Sequence, residues 1–339
     1  MSAEVLAQAA GWLDQGRGVA VATVIRTWGS SPRPVGSVLA VDAAGAMAGS
    51  VSGGCIESSV VHQALQVIED GEPRRLGYGV TDEMAWEVGL PCGGRIELYL
   101  EPAPRRDLLD RLLAAQARRQ PVALVTDLIT GLKTLVFETV VHGAFGLDEP
   151  ALDEVRRCLA ADRSALIELS EDSRLFVHSL TPPLRLLVVG AVHIAQALAP
   201  MAQRAGWEVT VIDPRRTFAT AERFPGVTLV DAWPDEALAA LAPDGATAVV
   251  TLSHDRKLDD PALIAALRTP AFYVGALGSR KAQAGRLERL REAGFGAEDL
   301  GRIRGPVGLA IGAVTPAEIA VSILAGLIAE RRQGALLRP

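Results

Sequence analysis

Cysteine is scarce in this chain: three among 339 residues, an odd and small number that excludes a disulfide framework and leaves each thiol to be judged singly. A basic excess is missing too. The 34 Lys and Arg are outnumbered by 40 Asp and Glu, and a formal charge of -6 argues against nucleic acid as a partner. No apolar run reaches the length of a membrane span, and Met1-Ser2-Ala3-Glu4 lacks the basic start and apolar core of a signal peptide. The expectation is a cytoplasmic protein with no membrane partner. No internal repeat and no low-complexity segment is visible.

What is present is globular. Hydrophobic residues make up 49% and charged residues 22%, and 339 residues suit two domains, each with its own core. Residues 2–15 read as a helix, 19–25 as a strand, and 37–41 and 47–51 as strands flanking an Ala-Ala-Gly turn. A helix over 56–69 stops at Asp70-Gly71, a short strand covers 96–100, and a further helix covers 107–118. Short runs at 122–128, 132–138, 165–169 and 174–180 then indicate an antiparallel sheet. Residues 1–181 are thus expected to form an α+β domain, ending at the stiff joint Thr181-Pro182-Pro183. From Leu184 strands alternate with helices, which predicts an α/β Rossmann-like, doubly wound parallel-sheet domain over 184–339.

In that second half Gly190-Ala191-Val192-His193 lies between a strand and a helix, where a dinucleotide fingerprint belongs, and Asp213 ends the next strand, where it could meet a ribose. The middle position of the fingerprint is Val192, whose branched side chain obstructs a pyrophosphate, so tight NAD(P) binding is not expected. Gly275-Ala276-Leu277-Gly278-Ser279-Arg280-Lys281 is a second candidate anion site at a helix start. Its plainer reading is that Ser279 caps the helix while Arg280 and Lys281 face water. His254, in Ser253-His254-Asp255 at a strand end, suits either a ligand contact or a loop role.

In the first half Ser52-Gly53-Gly54-Cys55 precedes a helix and Cys92-Gly93-Gly94 precedes a strand. A thiolate at a helix start with room beside it suits metal or sulfur chemistry, whereas a buried filler suits Cys158. The loop Thr27-Trp28-Gly29-Ser30-Ser31-Pro32-Arg33-Pro34-Val35-Gly36 offers Arg33 as a stiff anion contact. Trp28 is either a stacking surface or a core plug.

Taken in order, this loop, Gly49-Ser50-Val51-Ser52-Gly53-Gly54-Cys55-Ile56-Glu57, Pro91-Cys92-Gly93-Gly94, Ser253-His254-Asp255, Tyr273-Val274-Gly275-Ala276-Leu277-Gly278-Ser279-Arg280 and Thr315-Pro316-Ala317-Glu318-Ile319-Ala320 resemble the XdhC/CoxF family of molybdenum-enzyme accessory proteins. The resemblance runs from about Val19 to Ala329. It implies a non-catalytic, commonly dimeric protein that binds the molybdopterin cofactor. Such a protein keeps the cofactor while a cysteine desulfurase replaces an oxo group on molybdenum by sulfur, then passes it to a xanthine dehydrogenase-like molybdenum hydroxylase. Carried onto this chain, the metal end falls to Cys55 and Cys92, and pterin or phosphate contacts to Arg33, Ser279 and Arg280. Val192, Ala310 and Val314 depart from the family's glycine, aspartate and basic or polar residue. Two competing readings are an NAD(P)-dependent oxidoreductase using Gly190 and Asp213, and a scaffold that docks a partner enzyme without holding cofactor.

Overall fold

The computed structural model describes residues 2–31, 33–79, 94–170 and 173–333 and divides into two compact units, Met1–Pro182 and Pro183–Pro339. In the first, α1 (Ser2–Asp14) leads into β1 (Val19–Trp28), β2 (Val38–Asp42) and β3 (Met47–Gly49), then α2 (Glu57–Asp70), β4 (Arg74–Tyr78) and β5 (Arg95–Pro102). These strands form an antiparallel sheet in the order β3-β2-β1-β5-β4. The same layout then recurs. Helix α3 (Arg106–Ala117) leads into β6 (Val122–Asp127), β7 (Lys133–Val136) and β8 (Val141–Gly143), then α4 (Glu149–Ala160), β9 (Ala165–Ser170) and β10 (Ser173–Leu180). The second antiparallel sheet has the order β8-β7-β6-β10-β9, strand for strand that of the first. The unit is a topological repeat with no counterpart visible in the sequence: the halves match in element order and not in residue pattern.

Burial follows the alternation of each strand. Ala20, Ala22 and Val24 of β1 meet Val60, Ala64 and Val67 of α2, while Val19 and Val21 face the opposite side. That side is shared by both halves: Leu6 and Ala9 of α1 and Leu109 and Leu112 of α3 pack in one cluster with Leu124 and Leu135 of the second sheet. Helix α4 covers the outer face of that sheet through Val155 and Cys158. Strand β1 runs three residues past the expected Ile25, because beyond a bulge at Val24/Arg26 it stays paired to β5 as far as Trp28.

The second unit is Rossmann-like. Strands β11 (Arg185–Val189), β12 (Glu208–Ile212), β13 (Thr228–Val230), β14 (Thr247–Thr251), β15 (Tyr273–Ala276) and β16 (Ile303–Arg304) make an all-parallel sheet in the order β13-β12-β11-β14-β15-β16. Leu186 to Val189 and Ala248 to Val250 are fully buried, as continuous apolar runs in a two-sided parallel sheet must be. Helices α5 (His193–Arg204), α6 (Pro234–Leu241), α7 (Arg256–Leu267), α8 (Arg280–Glu292), α9 (Ala297–Gly301) and α10 (Pro316–Gln333) complete it, with α5 beside α10 and α6 beside α7. Strand order reverses between β11 and β14, so the loops after those two strands meet at the topological switch point.

One buried base ties the two sheets of the first unit together. His178 on β10 lies against Gly36, where a Cβ on the glycine would come 2.6 Å from Ser164 Oγ and 3.5 Å from the His178 ring. Burial drives the imidazole down to about 4, only partly opposed by its hydrogen bond to the Gly36 backbone. Between about pH 6.5 and 4 the unfolded chain therefore binds a proton that the folded chain does not, and stability falls as pH falls through that window. Urea denaturation of the wild type should show a loss of about 2 kcal/mol between pH 7 and 5 from this group. In His178→Gln that part of the pH slope disappears, whatever the cost of the substitution at pH 7; an unchanged slope would refute the assignment.

Candidate functional site

The motifs of the first half leave one end of the first sheet. Strand β1 exits at Trp28 into residues 29–37, β5 enters at Arg95 directly opposite Trp28, and β3 exits at Gly49, opposite Leu39 near the start of β2, into residues 50–56. Gly94 is wedged against the first loop: a Cβ there would lie 2.1 Å from the Ser30 carbonyl oxygen, so no other residue fits without moving backbone. Cys92 and Gly93 lie outside the described residues.

The loop 50–56 is closed around a carboxylate. Glu57, the first residue of α2 and 8% exposed, turns back and receives Ser50 Oγ at 2.7 Å and the backbone N–H groups of Ser52 at 2.9 Å, Gly53 at 3.1 Å and Gly54 at 2.8 Å. Ser52 Oγ donates to it as well and accepts from the Ile56 N–H at 3.1 Å. Gly53 and Gly54 take φ of 81° and 122°, which curls successive N–H groups inward as in an anion nest. Burial alone would push the Glu57 carboxyl up, but the hydrogen bonds from Ser52 and Ser50 outweigh it and bring it down to about 2. Fully buried Val51 and Ile56 pin the loop's ends to the core.

Cys55 stands exposed on this rigid loop, two residues before the first residue of α2, so it sits just outside the helix rather than at its start. A Cβ at Gly53 or Gly54 would meet nothing within 4 Å, so the space on that side is open. Trp28 is 41% exposed and no core plug; the guanidinium carbons of Arg26 and Arg95 lie 5.6 and 5.2 Å from its ring centroid. Arg33 is half-buried in the same loop, where its carbonyl accepts from Ser31 Oγ at 2.8 Å. Cys158, by contrast, is fully buried in the α4 core, and burial pushes its thiol up. Among the described residues no group of three His, Cys, Asp or Glu could hold a metal, and no helix is long and apolar enough to cross a membrane.

At the Rossmann-like edge a second carboxylate closes a second glycine loop. Asp213 is fully buried and accepts the Ala191 N–H at 2.8 Å, while Arg215 gives it a backbone N–H at 3.0 Å and two guanidinium hydrogen bonds at 2.9 and 2.8 Å. Burial opposes ionisation, but the Arg215 and Ala191 hydrogen bonds hold the carboxyl below its ordinary value. Asp213 therefore points into the protein rather than toward a ribose, which corrects its expected position. Gly190, at φ 105°, touches the next loop, since a Cβ would come 2.9 Å from Ser253 N. In that loop His254 is exposed and holds a left-handed φ of 60°, while Ser253 Oγ accepts the Asp255 N–H at 3.0 Å and donates to buried Asp259 at 2.7 Å. Asp259 faces Arg286 at 3.8 Å, and Arg286 ties the Leu277 carbonyl and Gln283, so Ser253, Asp259 and Arg286 brace the loops after β14 and β15 from beneath. Ser279 accepts the Ala282 N–H at 3.1 Å as the cap of α8, and Arg280 and Lys281 are exposed. Arg215, Asp259 and Arg286 escaped the sequence reading, in which Glu57 stands within a motif but is given no role. Only Glu57 carried a signal, an acidic first helical turn after a Ser-Gly loop.

Two antiparallel half-repeats, the first bearing an exposed cysteine loop, and a Rossmann-like unit whose glycine loop is closed by its own aspartate define the class: a two-unit protein that joins a duplicated α+β architecture to a Rossmann-like sheet. The chain belongs to the XdhC family. Residues 12–79 match the model described as the XdhC and CoxI family, and residues 186–327 the XdhC Rossmann domain. It is 30% identical over 320 residues to the molybdenum cofactor insertion chaperone PaoD of Escherichia coli (strain K12), covering 94% of this chain and 85% of that one. It is 26% identical to a protein of Bacillus subtilis (strain 168) named as a probable subunit of xanthine dehydrogenase, with 94% of each covered. A Bacillus halodurans protein whose crystal structure was solved as a xanthine dehydrogenase superposes with a TM-score of 0.76 at 27% identity, over 98% of this chain and 96% of that one.

Two outcomes follow from the closed loops. Glu57→Ala should lower stability by about 3 kcal/mol, since six donors, the Val51 N–H included, lose their acceptor. Glu57→Gln should do nearly as badly, because its NH2 confronts N–H donors. Hydrogen exchange would show the Gly53 and Gly54 amides opening at least about tenfold faster in both variants; unchanged protection would mean that the loop is held some other way. At the other loop, calorimetry with NAD should find no micromolar affinity, and Val192→Gly should add less than about 1.4 kcal/mol, because Asp213 still occupies the Ala191 N–H. Tight NAD binding to either form would overturn this account.

Proposed function

We propose that this protein holds the molybdenum cofactor while a cysteine desulfurase replaces an oxo ligand of the metal by sulfur, and then delivers it to a xanthine dehydrogenase-like molybdenum hydroxylase. It acts in the cytoplasm as a homodimer and turns over no metabolite of its own. The observation that carries the reading is the exposed Cys55 thiol on a loop fixed by Glu57, with open space beside Gly53 and Gly54. The similarity to a relative named as a molybdenum cofactor insertion chaperone supports it.

The donors present suit this cargo. A thiolate is a soft ligand matched to sulfur-rich metal chemistry, a guanidinium pairs with phosphate, and an exposed indole offers a face to a planar ring. In this reading Cys55 and Cys92 contact the metal end, Arg33 holds a phosphate or pterin oxygen, and Trp28 covers the ring. In the Rossmann-like unit Gly190 and Asp213 shape the edge from within, whereas His254, Ser279 and Arg280 face outward and make contacts. The cofactor brings the chemistry that its acceptor enzyme needs. The chain's own residues bind, orient and shield it.

The test pairs a thermal midpoint with the pterin retained after purification from a cofactor-producing host. Cys55→Ala and Cys92→Ala are expected to leave the midpoint nearly unchanged and to lose cofactor, Cys55→Ala more than Cys92→Ala. Cys158→Ala should do the reverse, losing about 1 kcal/mol of stability with cofactor retained. Full retention and full transfer by both loop variants would make the thiols bystanders.

A further inference from the structure

A second groove lies along the second half of the repeat, where it meets the end of β5, and none of its lining residues belongs to the Cys55 loop. Two adjoining clefts, of about 610 and 280 Å³, run along α3 and are both lined by Arg111 of α3 and His142 of β8. One extends to Arg105 and Lys133, the other to Arg118 and Phe137. From Arg105 to Arg118 the helix spans about 20 Å, the length of roughly six extended residues.

The charges along this groove are unequal. Lys133 is paired with Glu101, both side chains being about nine-tenths buried, and Arg105 is paired with Asp107. Arg111 and Arg118, seven residues apart and so on one face of α3, are exposed and have no carboxylate partner among the described residues. His142 is exposed beside them, and half-exposed Val140 supplies an apolar patch.

The strand beside these cations has an unused edge. Strand β8 is the last in its sheet, and all three of its residues are exposed. Phe137 N–H bonds the Val140 carbonyl and Ala144 N–H the Lys133 carbonyl, so in the alternating antiparallel ladder the inward pairs are 137/140, 135/142 and 133/144. Val141 and Gly143 accordingly turn their N–H and C=O groups outward, and no strand covers them among the described residues.

We infer that this groove docks an extended acidic segment of another protein, which pairs with the free edge of β8 and sets every second side chain, a Glu or Asp, against His142, Arg111 and Arg118. Backbone pairing supplies the fit and the unpartnered cations choose the sign of the guest. A second copy of this chain is a poor occupant, because edge-to-edge pairing of two β8 strands would bring the same cations together. The inference does not rest on cofactor binding.

The probe is a fluorescent nine-residue peptide of alternating Val and Glu, titrated by anisotropy into the full chain at low salt, beside the same peptide with Lys in place of Glu. The Glu peptide is expected to bind at least about tenfold more tightly, and Arg111→Glu with Arg118→Glu should abolish that preference. Val141→Pro removes only an outward N–H, which an edge strand tolerates, so it should keep its thermal midpoint and lose binding at least about tenfold. Inorganic phosphate should not compete at equal concentration, since the site reads a backbone edge as well as charge. Equal binding of both peptides, indifference to the arginine substitutions, or wild-type binding by Val141→Pro would each overturn the proposal. So would a homodimer that the arginine substitutions dissociate, for the groove would then be an interface between copies.

Discussion

The Glu57 carboxylate sets the shape of the cysteine-bearing loop of the first unit. A helix start preceded by two glycines offers a ring of inward N–H groups that any anion could take. Here the chain supplies the anion itself, from the first residue of α2, and the ring closes at 2.8 to 3.1 Å on Ser52, Gly53 and Gly54. An external phosphate cannot compete with a tethered carboxylate in that nest. What this leaves exposed is the Cys55 thiol on the rim, with Val51 and Ile56 held in the core on either side. Hydrogen bonding of this kind fixes the thiol's backbone in place.

The Rossmann-like unit solves its glycine loop in the same manner with a different residue. Asp213 takes the Ala191 N–H that a pyrophosphate would use and is anchored by Arg215. The fold keeps the switch-point geometry, with Gly190 touching Ser253, and closes the glycine loop on the chain's own carboxylate. Exposed polar side chains stand instead at the turn of His254 and the start of α8, which Asp259 and Arg286 support from below.

The sequence could be read wherever burial leaves a period. Apolar runs such as Leu186 to Val189 announced the parallel sheet, and the α+β half followed from shorter alternating segments. Strands β4 and β8 left no such trace: in Arg74-Arg75-Leu76-Gly77-Tyr78 only Leu76 and Tyr78 mark the inner face, too short an alternation between arginines to read, and β8 is three exposed residues at an edge. Cys55 could be singled out because glycine pairs mark a loop, but nothing in the sequence showed that Glu57 and Asp213 turn inward. A carboxylate's direction depends on which N–H groups the folded loop presents, and those exist only after the glycines take positive φ. Arg286 and Asp259 stayed hidden for the same reason, as charges on helix faces that read as solvent-facing until packing encloses them.

The matching strand orders of the two half-repeats have a consequence for how the first unit comes apart. Leu6, Leu109, Leu124 and Leu135 belong to one cluster, so neither half can bury its inner face without the other. The halves are alike in plan yet are expected to melt as one, as two leaves on one hinge pin open together. Divergence could therefore proceed at the outer ends, with one half keeping the cysteine loop and the other free to change its rim, while the shared seam stayed under common constraint.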